Sequence, residues 1–246
     1  MALQEEFQTQ GNFLFRYRSY FPILFLIVSV LAFISEVNKN NSWIDCGQYW
    51  FISLGVGILG LFIRAITVGF TPKNTSGRNT AQGQVAEELN QTGIYSLVRH
   101  PLYLGNFFMW LGVAMLVGNP WFILAFTLAY WVYYERIMYA EEAFLRGKFG
   151  EAYLAWAENK PAFVPKFKMP LKPKYPFSLK KVLRKEKNGV SALFGLFWLF
   201  DLLRNSLQAG AFTFEKNFWF WAFVASMVFY LIFKFLKNSS FMQDGR

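Results

Sequence analysis

Gly93-Ile94-Tyr95-Ser96-Leu97-Val98-Arg99-His100-Pro101-Leu102-Tyr103-Leu104-Gly105 leads into an apolar hairpin, and Tyr139-Ala140-Glu141-Glu142-Ala143-Phe144-Leu145 follows it. The hairpin arms run from Tyr103 to Val117 and from Trp121 to Tyr134, joined by the turn Gly118-Asn119-Pro120. Each arm is short for an apolar layer of roughly 30 Å at about 1.5 Å per residue. A tight, thin helical hairpin is therefore expected, with both ends on one membrane face. That return lets the only histidine, His100, meet the Glu141–Glu142 pair.

Further apolar runs lie outside the hairpin: Tyr20 to Ser35, Tyr49 to Phe70, Val190 to Phe212 and Phe218 to Leu236. They predict an all-α integral membrane protein of five to six membrane helices, the short hairpin included, with a cytoplasmic pocket. The expected organisation is one membrane domain, residues 1–246. It comprises a core over 64–165, a basic interfacial segment over 166–189 and a helical pair over 190–246. Composition agrees. Of 246 residues, 54% are hydrophobic and 16% charged, against about 25% charged in soluble domains. The net charge of +10, set beside these runs, points to an anionic membrane surface as partner and not to nucleic acid. Cys46 is the single cysteine, so no intrachain disulfide is possible. One histidine and one cysteine leave no usual zinc set, and no metal is expected.

The apolar run after Arg16 and Arg18 lacks a small-x-small cleavage site and reads as a retained helix. Lysines and arginines concentrate before Tyr20, in 71–101, in 135–190 and at the C-terminus. By the positive-inside rule both termini and both polar clusters face the cytoplasm. Nine basic residues and one acid, Glu186, lie between Lys166 and Lys187. They read either as a topology anchor or as a recruiter of an anionic headgroup.

Gly55-Val56-Gly57-Ile58-Leu59-Gly60 matches a dinucleotide-binding pattern. Inside an apolar helix it reads instead as small residues for close helix packing. Arg64, near the end of that run, either snorkels to the interface or contacts a ligand. The loop Thr71 to Thr92 is long enough to suggest function, with a short helix over Gln84 to Asn90. Asp201, Arg204, Asn205 and Gln208 fall on one helical face. That face reads as a structural ion pair, as the wall of a polar substrate cavity, or as part of an interfacial helix. Glu135 to Lys160 reads as a helix leaving the membrane.

The two clusters combine complementary chemistry. Arg99 is a permanent forked donor suited to a carboxylate or phosphate. His100 can donate, accept or carry a proton near neutrality. Pro101 opens a helix well. Glu141 and Glu142 point to different azimuths, so one pocket receives one of them directly. Cationic and acceptor groups side by side suit a zwitterionic small molecule at the membrane surface.

Arg99-His100-Pro101-x-Tyr103-x-Gly105, preceded by Gly93-x-Tyr95, resembles the isoprenylcysteine carboxyl methyltransferase and phospholipid methyltransferase superfamily. Glu141-Glu142, Leu145, Phe149-Gly150, Tyr153, Trp156 and Phe163-Val164-Pro165 follow in the same order as in that family, and Arg64-x-x-Thr67-x-Gly69 resembles its preceding helix. The resemblance implies a membrane methyltransferase that uses S-adenosylmethionine without a Rossmann domain. By that resemblance Gly93, Tyr95, Arg99, His100, Tyr103, Gly105, Glu141 and Glu142 line or shape the cofactor pocket. Arg99, His100 and Glu142 are then the catalytic candidates. The lipid or lipidated substrate arrives laterally between helices. Candidate acceptor-binding residues are Arg64, Asp201, Arg204, Asn205 and Gln208.

An ionised oxygen nucleophile needs no general base, whereas an ammonium must first lose a proton. The basic segment and Arg204 therefore favour O-methylation of an anionic group: a lipid phosphate, such as a lipid A phosphate, or a prenylcysteine carboxylate. The alternatives are N-methylation of phosphatidylethanolamine, an NADPH-dependent reductase of the sterol-reductase type, and a non-enzymatic scaffold that kept the fold.

Overall fold

The computed structural model describes residues 2–72, 75, 78–80 and 83–236. The expected basic C-terminus beyond Leu236, with Lys237, lies outside these residues, as does part of the Thr71–Thr92 loop. The chain forms α1 (Leu3–Arg16), α2 (Phe21–Asn38), α3 (Ser42–Asp45), α4 (Gly47–Phe70), α5 (Pro101–Met115), α6 (Pro120–Phe149), α7 (Glu151–Ala157), α8 (Leu179–Ala209) and α9 (Phe218–Phe235). Two three-residue strands, β1 (Arg78–Thr80) and β2 (Gly83–Val85), form an antiparallel hairpin in the loop after α4. Helices α2, α4, α8 and α9 are long and apolar enough to cross a membrane. They carry exposed large side chains such as Leu24, Leu31, Phe62 and Trp221, as a lipid-facing surface requires.

Helix α4 packs most extensively on α5, and glycines make that approach possible. A Cβ at Gly60 would stand 2.4 Å from the Gly105 carbonyl oxygen, and one at Gly112 would stand 2.6 Å from the Ser53 carbonyl oxygen. Gly57 meets Leu193 of α8 in the same way. Gly57 and Gly60 of the Gly55–Gly60 pattern thus serve packing, as its setting in an apolar run implied, whereas a Cβ at Gly55 would meet nothing within 4 Å. Phe33, Trp50, Phe197 and Phe200 are fully buried and join α2, α4 and α8. Trp219 of α9 stacks at an angle on Trp50, centroids 5.5 Å apart.

The α5–α6 turn reaches the far end of the bundle. Asn41, in the connection between α2 and α4, donates to the Gly118 carbonyl, and Asn119 donates to Glu36 of α2. The hairpin thus runs alongside the other helices to the α2–α4 connection. It is thin only in the shortness of α5.

Several local expectations are corrected. Residues 3–16, which lie outside every apolar run, form α1, which packs on the outer half of α6: the Arg136 guanidinium lies 3.8 Å over the Phe7 ring. No helix forms over 84–90; β2 occupies its start. The segment leaving the membrane is continuous with the second hairpin arm in α6 and breaks at Gly150, whose φ of 51° favours glycine. Basic residues 180–187 belong to the first turns of α8, capped by the Ser178 side chain accepting from Lys181 N–H.

Candidate active site

Val98 is fully buried and anchors the segment before α5. Pro101 occupies the first turn of α5 and His100 its N-cap. The segment after α7 runs back along this stretch. Backbone N–H groups of Arg99 and His100 donate to the carbonyls of Pro161 and Ala162 at 2.9 and 3.1 Å. Lys166 N–H donates to the Leu97 carbonyl, and Gly93 N–H to that of Leu171. Gly93 needs its φ of 61° to make this pairing. The strap fixes the position of Arg99 and His100 before any side chain acts.

His100 is buried between the two carboxylates. Its Nε2 lies 2.9 Å from Glu142 Oε1, and its Nδ1 lies 3.6 Å from Glu141 Oε2. The Tyr103 hydroxyl donates to Glu141 Oε2 at 2.8 Å, and Arg99 Nε stands 3.1 Å from Glu142 Oε1. His100, Glu141 and Glu142 lie beyond the apolar stretches of the hairpin arms. Burial alone would lower the basicity of His100. Hydrogen bonds and charge from Glu141 and Glu142 outweigh that effect and raise its pKa to about 9. Burial likewise acts to raise both carboxylates, but the imidazolium and its neighbours hold them below the usual range. The ring is thus an imidazolium at neutral pH, hydrogen-bonded to Glu142 and ion-paired with Glu141.

A cavity of about 240 Å³ opens beside this cluster. Arg99, His100, Tyr103 and Glu141 form one wall, Tyr95, Glu88 and Asn90 another, and Trp156 of α7 a third. A second cavity of about 130 Å³ shares Glu88, Leu89, Asn90 and Tyr95 with it. Together they fall in the lower part of the roughly 300–1,000 Å³ usual for ligand sites. Over this region Glu88 accepts from Lys174 and from the Tyr175 hydroxyl, the latter at 2.7 Å.

The two glutamates divide as their azimuths implied. Glu141 faces the cavity. Glu142 faces a cleft of about 310 Å³ between α1 and α6, lined also by Leu3, Phe7 and Arg99. Arg99 therefore borders both spaces.

The remaining sequence candidates separate. Arg64 borders the cavity and forms a two-pronged pair with Glu186 at 2.8 and 2.9 Å, with a third bond to Asn106 at 2.5 Å. Gly105 and Gly93 shape backbone and do not line the cavity. Asp201, Arg204, Asn205 and Gln208 are elsewhere. Asp201 pairs with Arg204 at 2.7 Å and accepts from Asn217, while Gln208 donates to Asp45. Fifteen residues of helix separate Asp201 from Glu186, roughly 22 Å, so this group closes the opposite end of the bundle.

Sequence reasoning did not single out Arg18, Asn106, Glu88 or Asn90, which line the cavity, or Glu186, which pairs with Arg64, as site residues. Glu186 carried a signal: it is the one acid among nine bases between Lys166 and Lys187. Asn106 is a polar residue inside an apolar arm. Among the described residues, no group of three metal-ligating side chains is placed around an ion.

Comparison with known proteins yields a consistent set. The family described as phospholipid methyltransferase matches residues 48–152. Protein-S-isoprenylcysteine O-methyltransferase B of Arabidopsis thaliana is 31% identical over 147 residues, covering 58% of this chain and 72% of the relative. The Schizosaccharomyces pombe protein-S-isoprenylcysteine O-methyltransferase is 33% identical over 114 residues, covering 46% and 48%. A nickel-cobalt-cadmium resistance protein, NccN, of Alcaligenes xylosoxydans xylosoxydans is 29% identical over 160 residues, covering 64% and 69%. No solved structure matches the chain significantly.

Proposed function

Because the chain belongs to the isoprenylcysteine carboxyl methyltransferase and phospholipid methyltransferase superfamily, and is a membrane methyltransferase, we propose that it carries a methyl group from S-adenosylmethionine to an anionic oxygen on a membrane-embedded lipid or lipidated substrate. The supporting observation is that both motifs converge on one cavity at the end of the bundle, with Glu141, Tyr103 and His100 along one wall. The residues fit such a cofactor. Glu141 supplies negative charge for a sulfonium or ammonium group, and Tyr95, Tyr103 and Trp156 supply aromatic faces that suit a cation or a nucleobase. When bound, the cofactor supplies an electrophilic methyl group.

The protein's own part is positioning and electrostatics. His100, held as a cation, fixes both glutamates. Tyr103 orients Glu141 toward the cavity. Arg99, which borders both the cavity and the α1 cleft, would hold an anionic acceptor. No proton is removed from an ionised carboxylate or phosphate, so His100 serves as a clamp and not as a base. A prenylcysteine carboxylate is the first acceptor to test, since two of the relatives bear that substrate in their names; a lipid phosphate is the second. The concentration of basic residues around this end supports a cytoplasmic orientation for the site.

Purified protein in nanodiscs, given methyl-labelled S-adenosylmethionine with N-acetyl-S-farnesylcysteine or with a total lipid extract, tests the proposal. Label in the farnesylcysteine ester or in an acidic lipid fraction is expected. Label confined to phosphatidylethanolamine products would replace the O-methyl reading with the N-methyl one. Saturable NADPH binding without transfer would overturn both.

A further inference from the structure

Three buried polar atoms among the described residues lack a hydrogen-bond partner: Arg99 Nε, the Tyr153 hydroxyl and Trp156 Nε1. Orphaned buried donors are uncommon in folded proteins, because each loses its hydration without compensation. All three belong to one neighbourhood. Tyr153 and Trp156 share α7, with ring centroids 5.8 Å apart, and Tyr153 is almost wholly buried. Arg99 and Trp156 both border the cavity. The Tyr153 hydroxyl lies beside Glu142, within its electrostatic reach, and borders none of the three cavities. Arg99 Nε is near Glu142 but off the hydrogen-bonding direction.

Around His100 the cations Arg99 and His100 face the anions Glu141 and Glu142, and Arg18 adds a further cation to the cavity lining. An anion entering such a site is attracted, and directed donors fix its orientation. Ring packing explains the bulk of Tyr153 and Trp156; it does not explain an indole N–H at the cavity with nothing to bond.

We propose that the Trp156 N–H, beside Arg99, is an oxyanion donor for a carboxylate or phosphate oxygen of a bound substrate. This rests on the methyltransferase reading. The oxyanion has two possible sources, the amino-acid carboxylate of the methyl donor and the anionic group of the acceptor.

Titration calorimetry on the full chain in nanodiscs, wild type against Trp156→Phe, with Tyr153→Phe as the packing control from the same helix, separates them. Four probes are used. S-adenosylhomocysteine carries the donor carboxylate and 5′-methylthioadenosine lacks it. N-acetyl-S-farnesylcysteine carries the acceptor carboxylate and its carboxamide lacks it. Loss of one hydrogen bond to a charged group should weaken binding roughly tenfold or more. Loss in Trp156→Phe confined to S-adenosylhomocysteine assigns the contact to the methyl donor. Loss confined to N-acetyl-S-farnesylcysteine assigns it to the acceptor. If both members of a pair weaken equally, or if Tyr153→Phe reproduces the loss, Trp156 only packs, and the oxyanion contact is overturned. It is also overturned, on its own, if wild type binds S-adenosylhomocysteine and Trp156→Phe changes no affinity. Wild-type protein that binds no S-adenosylhomocysteine overturns the methyltransferase reading and the oxyanion contact with it.

Discussion

Glu142→Gln should release His100 from its charged state. The carboxylate of Glu142 lies 2.9 Å from His100 Nε2, and that of Glu141 lies 3.6 Å from Nδ1. Two unit charges at 2.9 Å attract by about 6 kcal/mol at an effective dielectric of about 20, before desolvation. Desolvation of the buried ring opposes this and would by itself pull the pKa below 6.5. Removing the nearer anion should therefore drop the His100 pKa from about 9 by roughly two units. The linkage follows with a definite sign. The histidine contribution to stability is complete below its unfolded pKa of 6.5 and is lost as pH rises through about 9. The glutamate contributions are complete above 4.5 and are lost as pH falls through their lowered values. Wild-type stability from this cluster is thus full between pH 4.5 and 6.5 and fades toward pH 9, while in Glu142→Gln the histidine contribution is smaller and is exhausted near neutrality. The chain has a single histidine, so a pH titration of ¹³C-labelled imidazole by NMR reads this group without assignment. A wild-type pKa near or below 6.5, or a variant that titrates within about 0.5 unit of wild type, would refute the clamp.

Other consequences are equally concrete. Gly105→Ala places a Cβ 2.5 Å from Arg64 Cγ and 2.9 Å from the Gly60 carbonyl oxygen, so it should cost about 1–3 kcal/mol of stability, read as a lower unfolding temperature in detergent. Arg64→Met leaves Glu186 buried without its partner and should cost about 3–5 kcal/mol, whereas Arg64→Met with Glu186→Met should recover much of that; a double-mutant cycle of thermal unfolding measures the coupling. Asp201→Asn breaks the pair with Arg204 at the far end of the bundle, so it should lower stability while leaving KM for either substrate within about twofold, checked by steady-state methyl transfer.

The hydrophobic runs made the membrane bundle legible, because a span needs length and apolarity and little else. The meeting of His100 with Glu141 and Glu142 was legible from the hairpin, since two helices joined by a short turn must bring their outer ends together. The Asp201 face was not resolvable in the same way. Helical spacing placed four polar residues on one side of α8 but gave no depth, and depth decides whether they meet Glu186 or Asp45. Helix α1 was missed because its sequence is mostly polar, and its burial comes from docking Gly11 and Phe7 on α6. Trp156 is a related case. Its place in the motif was readable, but an indole N–H without a partner becomes visible only when every neighbour has been located.

Ultraviolet cross-linking of methyl-labelled S-adenosylmethionine to the full chain in nanodiscs, followed by peptide mapping, tests most directly whether the two motifs wall one donor site. Label is expected in peptides covering residues 93–105 and 139–156, and excess S-adenosylhomocysteine should displace it. Displaceable label in residues 201–208 instead, or label that no competitor removes, would contradict it.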